Sequence, residues 1–159
     1  MKLKGCIDED FANFKQPSFF IIFPYCSFKC DKEYGNTICQ NSSLANAEII
    51  EFDTKKLVER YLENPITKAV VCGGLEPLDS GLELLLFISI FRKYSDDPII
   101  IYTGYNKEEI LPQIDSLKEY KNIIIKYGRF IPNAQSRYDE ILGITLASDN
   151  QYAEVISWK

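Results

Sequence analysis

"SFFIIFPYCSFKCDKEYGNTIC", Ser18–Cys39, leads an apolar run directly into a loop that carries three of the chain's five cysteines, Cys26, Cys30 and Cys39. The run "SFFIIF" shows no polar–apolar alternation, so it reads as a strand buried on both faces, the kind found inside parallel sheets. Three later runs share its character: "TKAVVCGG" (Thr67–Gly74), "PIIIYTGY" (Pro98–Tyr105) and "NIIIKYG" (Asn122–Gly128). Helical patterns separate them. Asp53 or Thr54 caps a helix with Leu57, Val58, Tyr61 and Leu62 on one stripe, stopped at Asn64–Pro65. "LDSGLELLLFISIFRKYS" (Leu78–Ser95) predicts a long, mostly buried helix, and a further helix opens at Asn106 and breaks at Pro112. Beyond Arg129 the pattern is weaker, with a hairpin or short strand expected near "ILGITLAS" (Ile141–Ser148). The alternation predicts an α/β fold with a mostly parallel sheet covered on both faces. No linker-like or repetitive stretch divides the chain, so residues 1–159 read as a single domain.

Ligands of such sheets gather at the carboxyl ends of the strands. The polar motifs fall there: the cysteine loop, "GGLEP" (Gly73–Pro77), "TGY" (Thr103–Tyr105) and "KYGRF" (Lys126–Phe130).

Composition narrows the chemistry. The chain has 159 residues, 46% hydrophobic and 26% charged, with a formal net charge of −5. That balance argues against general nucleic-acid binding, which needs a basic face. The longest apolar run, "LLLFISIF" (Leu84–Phe91), is far shorter than the ~20 residues that span a bilayer, so no membrane association is expected. "MKLKGCIDEDF" meets acidic residues before any apolar stretch, unlike a secretory signal, and a cytoplasmic location is the expectation. In a reducing compartment clustered cysteines are metal ligands or redox thiols rather than disulfides. The chain contains no histidine, which removes histidine acid–base catalysis and mixed Cys/His metal sites together.

The loop spacing is C-x3-C-x8-C. A cubane iron–sulfur cluster takes one thiolate per iron, and a set of three leaves one iron open for substrate. A four-cysteine zinc site recruiting Cys6 or Cys72 is an alternative; a reactive dithiol is disfavoured by the absence of C-x-x-C. Cys6 and Cys72 also read as plain buried residues, whereas Asp31, Lys32, Glu33, Asn36 and Gln40 make the surroundings of the trio polar.

Taken in order, the cysteine trio, "GGLEP", "IIIYTGY" and the terminal "GITLASDNQ" (Gly143–Gln151) resemble the radical S-adenosylmethionine activases. Within that family the chain is most similar to the small activating proteins of anaerobic ribonucleoside-triphosphate reductase. The second cysteine interval is x8 where the family has x2, and Leu75 stands inside the family's Gly-Gly-Glu-Pro. The resemblance implies an incomplete β/α barrel and a [4Fe-4S] cluster on Cys26, Cys30 and Cys39. It implies S-adenosyl-L-methionine held by Gly73, Gly74, Glu76, Thr103, Gly104 and Lys126. Gly73 and Gly74 would admit the methionyl group, backbone carbonyls or Glu76 would accept from its ammonium, Thr103 and Gly104 would face the ribose or methionyl portion, and Lys126 would pair with the carboxylate. The implied activity is generation of a 5′-deoxyadenosyl radical that installs a glycyl radical on a large partner enzyme, anaerobic ribonucleotide reductase first among the targets. The electrons would come from a flavodoxin- or ferredoxin-type donor. Ser148, Asn150 and Gln151 match the family pattern without an assigned role. The alternatives are activation of another glycyl radical enzyme, radical modification of a small molecule, and a non-catalytic iron–sulfur or zinc module.

Overall fold

The computed structural model describes residues 1–158 and begins with two strands that the apolar pattern does not reveal, β1 (Lys2–Leu3) and β2 (Gly5–Asp10). The run "SFFIIF" follows as β3 (Ser18–Phe23), and the cysteine loop contains a short helix, α1 (Lys29–Tyr34). Strand β4 (Ile50–Glu51) pairs with β1 as a small antiparallel ribbon. Helix α2 (Thr54–Glu63) begins where Asp53 accepts hydrogen bonds from the N–H groups of Lys55 and Lys56, satisfying two of the helix's free donors. Next come β5 (Ala69–Gly74), α3 (Gly81–Phe91), β6 (Ile99–Tyr102), α4 (Leu111–Leu117) and β7 (Ile123–Tyr127). A hairpin of β8 (Arg137–Asp139) and β9 (Ile144–Leu146), then β10 (Tyr152–Ser157), complete the chain.

Six strands form one open mixed sheet in the order β10-β7-β6-β5-β3-β2. The central four run parallel and succeed one another in chain order; β2 and β10 add antiparallel edges. Right-handed crossovers between strands that never reverse order must lie on the same side of the sheet. Accordingly α2, α3 and α4 pack on one face, against Phe19, Ile21, Val70, Cys72, Ile99, Ile101, Ile123 and Ile125. Cys72 is fully buried in that layer and behaves as a small apolar residue. The opposite face presents a row in register, Phe20–Val71–Ile100–Ile124–Val155. It is covered by Phe14 and by Leu142 and Leu146 of the β8–β9 hairpin, not by helices. Each such side chain taken from water contributes roughly 1.5–3 kcal/mol, so two apolar faces explain why the strands carry no alternation.

Several local expectations change. Leu62 is 44% exposed; the stripe that α2 buries is Thr54, Leu57, Val58 and Tyr61, and Leu62 sits at its margin. The helix expected over Leu78–Ser95 is shorter, because residues Pro77–Ser80 form a 3-10 turn before α3. Only one side of α3 is buried, and Leu82 is 87% exposed. Pro112 stands in the first turn of α4 instead of breaking a helix, since that turn has no use for its missing N–H. The region from Asn106 holds a 3-10 turn closed by a reciprocal cap between Asn106 and Glu109. Among the described residues no helix is long and apolar enough to cross a membrane.

Candidate functional site

A cavity of about 460 Å³ opens at the carboxyl ends of β3, β5, β6 and β7. Its walls include Cys26, Cys30 and Cys39 together with Gly74, Glu76, Thr103, Gly104 and Lys126. Gly73 does not line it. A Cβ there would come 2.9 Å from the Phe20 ring, so this glycine serves sheet packing. Gly74 has φ +85°, and a Cβ on it would lie 2.5 Å from Ile22 Cγ2, so both backbone and space require glycine.

The cysteine loop is built by local hydrogen bonds. Phe28 takes a left-handed conformation, φ 52° and ψ 43°, which is costly for a bulky side chain. Its N–H donates to Cys26 Sγ at 3.2 Å. The residues that widen the second cysteine interval fold as α1, and Gly35, φ +80°, ends that helix. Asp31 Oδ1 then accepts the N–H groups of Ile38 and Cys39, each at 2.8 Å, returning the third cysteine to the cavity wall. Asp79 anchors the other end, accepting from Ser27 N–H and from Tyr105 Oη at 2.7 Å each. Glu109 joins the loop to the end of β7: it accepts two bonds of 2.7 Å from Arg129 and one of 3.1 Å from Lys29. Arg129 holds the Glu109 carboxyl well below the usual carboxylate range, at about 2.

The three thiols border one cavity, yet among the described residues no three Cys, Asp or Glu side chains meet closely enough to hold a metal ion. Burial raises the thiols of Cys26 and Cys30, Cys26 to about 12, so without a cation they keep their protons. A Cβ on Gly104 would sit 3.5 Å from Cys30 Sγ and 3.7 Å from Glu76 Oε2, so its backbone lies against both.

Among the described residues, Glu76 and Lys126 are the only charged ones in the cavity wall, and both are buried. Glu76 Oε1 accepts from Leu78 N–H at 3.1 Å and Oε2 from Gly104 N–H at 2.9 Å, tying the end of β5 to that of β6. Burial pushes its carboxyl up to about 7. Lys126 donates to the Gly128 carbonyl at 3.3 Å and lies 5.7 Å from the centre of the Tyr102 ring. None of the ion pairs among the described residues includes Lys126. Burial lowers its ammonium to about 8, an effect that the charge of Glu76 opposes. Thr103 is buried, and its Oγ1 accepts from Tyr105 N–H at 3.0 Å.

The tail residues acquire a role. Asn150 Nδ2 donates to the Arg129 carbonyl at 2.9 Å, Gln151 Nε2 donates to the Gly128 carbonyl at 3.2 Å, and Ser148 Oγ lies 3.5 Å from the Arg129 carbonyl. They fasten the turn that follows β7 and so the strand end that carries Lys126. Sequence reasoning missed Asn41, whose Nδ2 donates to the Gly74 carbonyl at 2.8 Å, and Tyr102, whose Oη donates to the Asn13 carbonyl at 2.6 Å. Tyr102 sits in the motif "IIIYTGY"; Asn41 offered no signal beyond its position two residues after Cys39. No protein-family model, no curated protein and no solved structure matches this chain.

Proposed function

We propose that this chain is a radical S-adenosylmethionine activase that installs a glycyl radical on a partner enzyme, most closely of the type serving anaerobic ribonucleotide reductase. The observation that carries this reading is that one cavity at the strand ends is bordered by three thiols and by a buried lysine outside every ion pair of the described residues. The donor set suits an iron–sulfur cluster: three cysteines and no histidine in the chain. Cys26, Cys30 and Cys39 would hold the [4Fe-4S] cluster, and its binding would displace the thiol protons. Cluster and S-adenosyl-L-methionine together supply one-electron cleavage of the sulfonium.

The protein's own contribution is binding and orientation. Lys126 offers an ammonium to a carboxylate inside a cavity of a size suited to a small ligand. Each oxygen of Glu76 already accepts one backbone bond and retains a lone pair for a ligand ammonium. Gly104, where a Cβ would face Cys30 Sγ and Glu76, lets a ligand approach the backbone. Strands in unbroken order with every crossover on one face are also the arrangement of an incomplete β/α barrel whose inner side bears the site.

The test is anaerobic reconstitution with iron and sulfide, reduction, and addition of S-adenosyl-L-methionine. The expected product is 5′-deoxyadenosine, with a glycyl radical signal once a partner is supplied, and Cys39→Ala should lose cluster and product together. A full cluster on Cys39→Ala would overturn the reading.

A further inference from the structure

We infer that the free edge of β9 receives an extended, uncharged polypeptide segment of another protein as a third strand and leads it into the cavity. The inference deepens the proposed reading by describing how its partner is recognised, but it stands on the cavity rim and not on a cluster. Strands β8 and β9 form a sheet of their own, so among the described residues one edge of β9 has no partner strand. Residues Ile144, Thr145, Leu146 and Ala147 all border the cavity. Successive strand side chains point to opposite faces, so four in a row border one space only where the backbone edge runs along it. That edge offers unpaired N–H and C=O groups, the means by which a sheet binds an extended peptide.

The edge lacks the usual protection. Exposed edges are commonly blunted by charge or proline, as β2 is by Asp8, Glu9 and Asp10. "GITLA", Gly143–Ala147, has neither. The rest of the rim lining is equally free of charge, Lys15 lying against Gly143 without lining the cavity. Its exposed members Ala12, Gln40, Asn41, Thr145 and Ala147 come from three separate segments of a chain in which 26% of residues are charged. Carboxamides and hydroxyls both donate and accept, matching a peptide backbone without requiring a charge on it. A charged segment would lose hydration here with no counter-charge at the rim.

The experiment uses the full chain without cluster and a short N-acetylated, C-amidated peptide of Gly, Ser, Val and Thr. One companion peptide carries two Lys, another two Glu, and a third has alternate amides N-methylated so that it cannot form a ladder. The parent peptide should bind with an affinity that moves less than about twofold between ~0.1 and ~1 M salt, over which screening tightens from about 10 to 3 Å. N-methylation, or Thr145→Glu in the protein, should weaken binding about tenfold or more. Hydrogen exchange at residues 144–147 should slow with the parent peptide alone. Equal binding of the N-methylated peptide, tighter binding of a charged one, or no binding at millimolar peptide would each overturn the inference. The reconstituted chain is assayed separately for 5′-deoxyadenosine. Product formation without edge pairing sinks this inference alone, and edge pairing without product sinks the activase reading alone.

Discussion

The carboxylate of Asp31 accepts the backbone N–H of Cys39 at 2.8 Å, and this bond sets where the third cysteine returns. The same oxygen holds Ile38 N–H, so one side chain closes the whole interval from Cys30 to Cys39. Hydrogen bonds to a charged acceptor contribute roughly 1.5–3 kcal/mol each. Asp31→Ala should therefore loosen the loop while leaving the sheet intact. Iron bound after reconstitution should fall to half or less and amide exchange at Cys39 should accelerate, with the thermal midpoint nearly unchanged. Asp31→Asn, which keeps an acceptor, should recover most of the iron.

Gly74 supports a sharper stability prediction. Alanine there must adopt φ +85° and push against Ile22, including its Cα at 3.1 Å, which cannot swing away. Strain and overpacking together should cost about 2–5 kcal/mol. Gly73→Ala meets only the tip of the Phe20 ring, a movable group, and should cost less. Gly81→Ala, at the start of α3 with open space around it, should gain about 0.5–1 kcal/mol. Denaturant unfolding of the three variants gives the order directly.

What was legible beforehand follows from where each element sits. The four central strands lie between two apolar layers, so their residues betray them: "IIIY" and "NIII" admit no other reading. The edges β2 and β10 have a neighbour on one side only and tolerate charge, as Asp8 and Glu154 attest, so they blend into loop composition. The covering of the second face depends on Phe14, Leu142 and Leu146, residues far apart in sequence whose meeting no periodicity encodes. At the site, the cysteines, Glu76, Thr103, Gly104 and Lys126 stood out because strand ends collect ligands. The contacts made by Asp31, Asn41 and Asp79 stayed hidden, since a polar loop residue looks the same whether it faces water or a backbone N–H.

On the proposed reading, Lys126 would tie ligand binding to pH. Its folded value near 8 lies below the ordinary lysine value of 10.5, so between those limits the unfolded chain binds more protons than the folded one. Stability from this group therefore rises with pH across that window, and the charged form is a burden below about 8. Lys126→Met should stabilise the ligand-free protein by about 1–3 kcal/mol, because an unpaired buried charge is removed. The same change should weaken S-adenosyl-L-methionine binding by about tenfold to a hundredfold, the loss of one charge-assisted bond. In the parent protein that affinity should decline above pH 8, where the ammonium loses its proton. Titration calorimetry across pH 7–10 measures both effects.

Glu109 predicts the acid limit of the cysteine loop. Arg129, with help from Asn106 N–H and Lys29, draws its carboxyl from an ordinary value of 4.5 down to about 2. A depressed carboxylate gives stability that is complete above the unfolded value and is lost as pH falls through the folded one. The ion pairs should thus hold the end of β7 to α1 at pH 5 and release it progressively between about 4.5 and 2. The pairs are partly solvated, so the global midpoint should move little. Release should instead appear as faster amide exchange in residues 29–34 and as easier alkylation of Cys30. Glu109→Gln leaves Glu33 as the remaining carboxylate on Arg129, so it should show faster exchange than the parent already at pH 7 and a weaker dependence on acid in that window. If Glu109→Gln kept the parent's protection at every pH, the loop would be held by Asp31, Asp79 and the Arg129–Glu33 ion pair without Glu109.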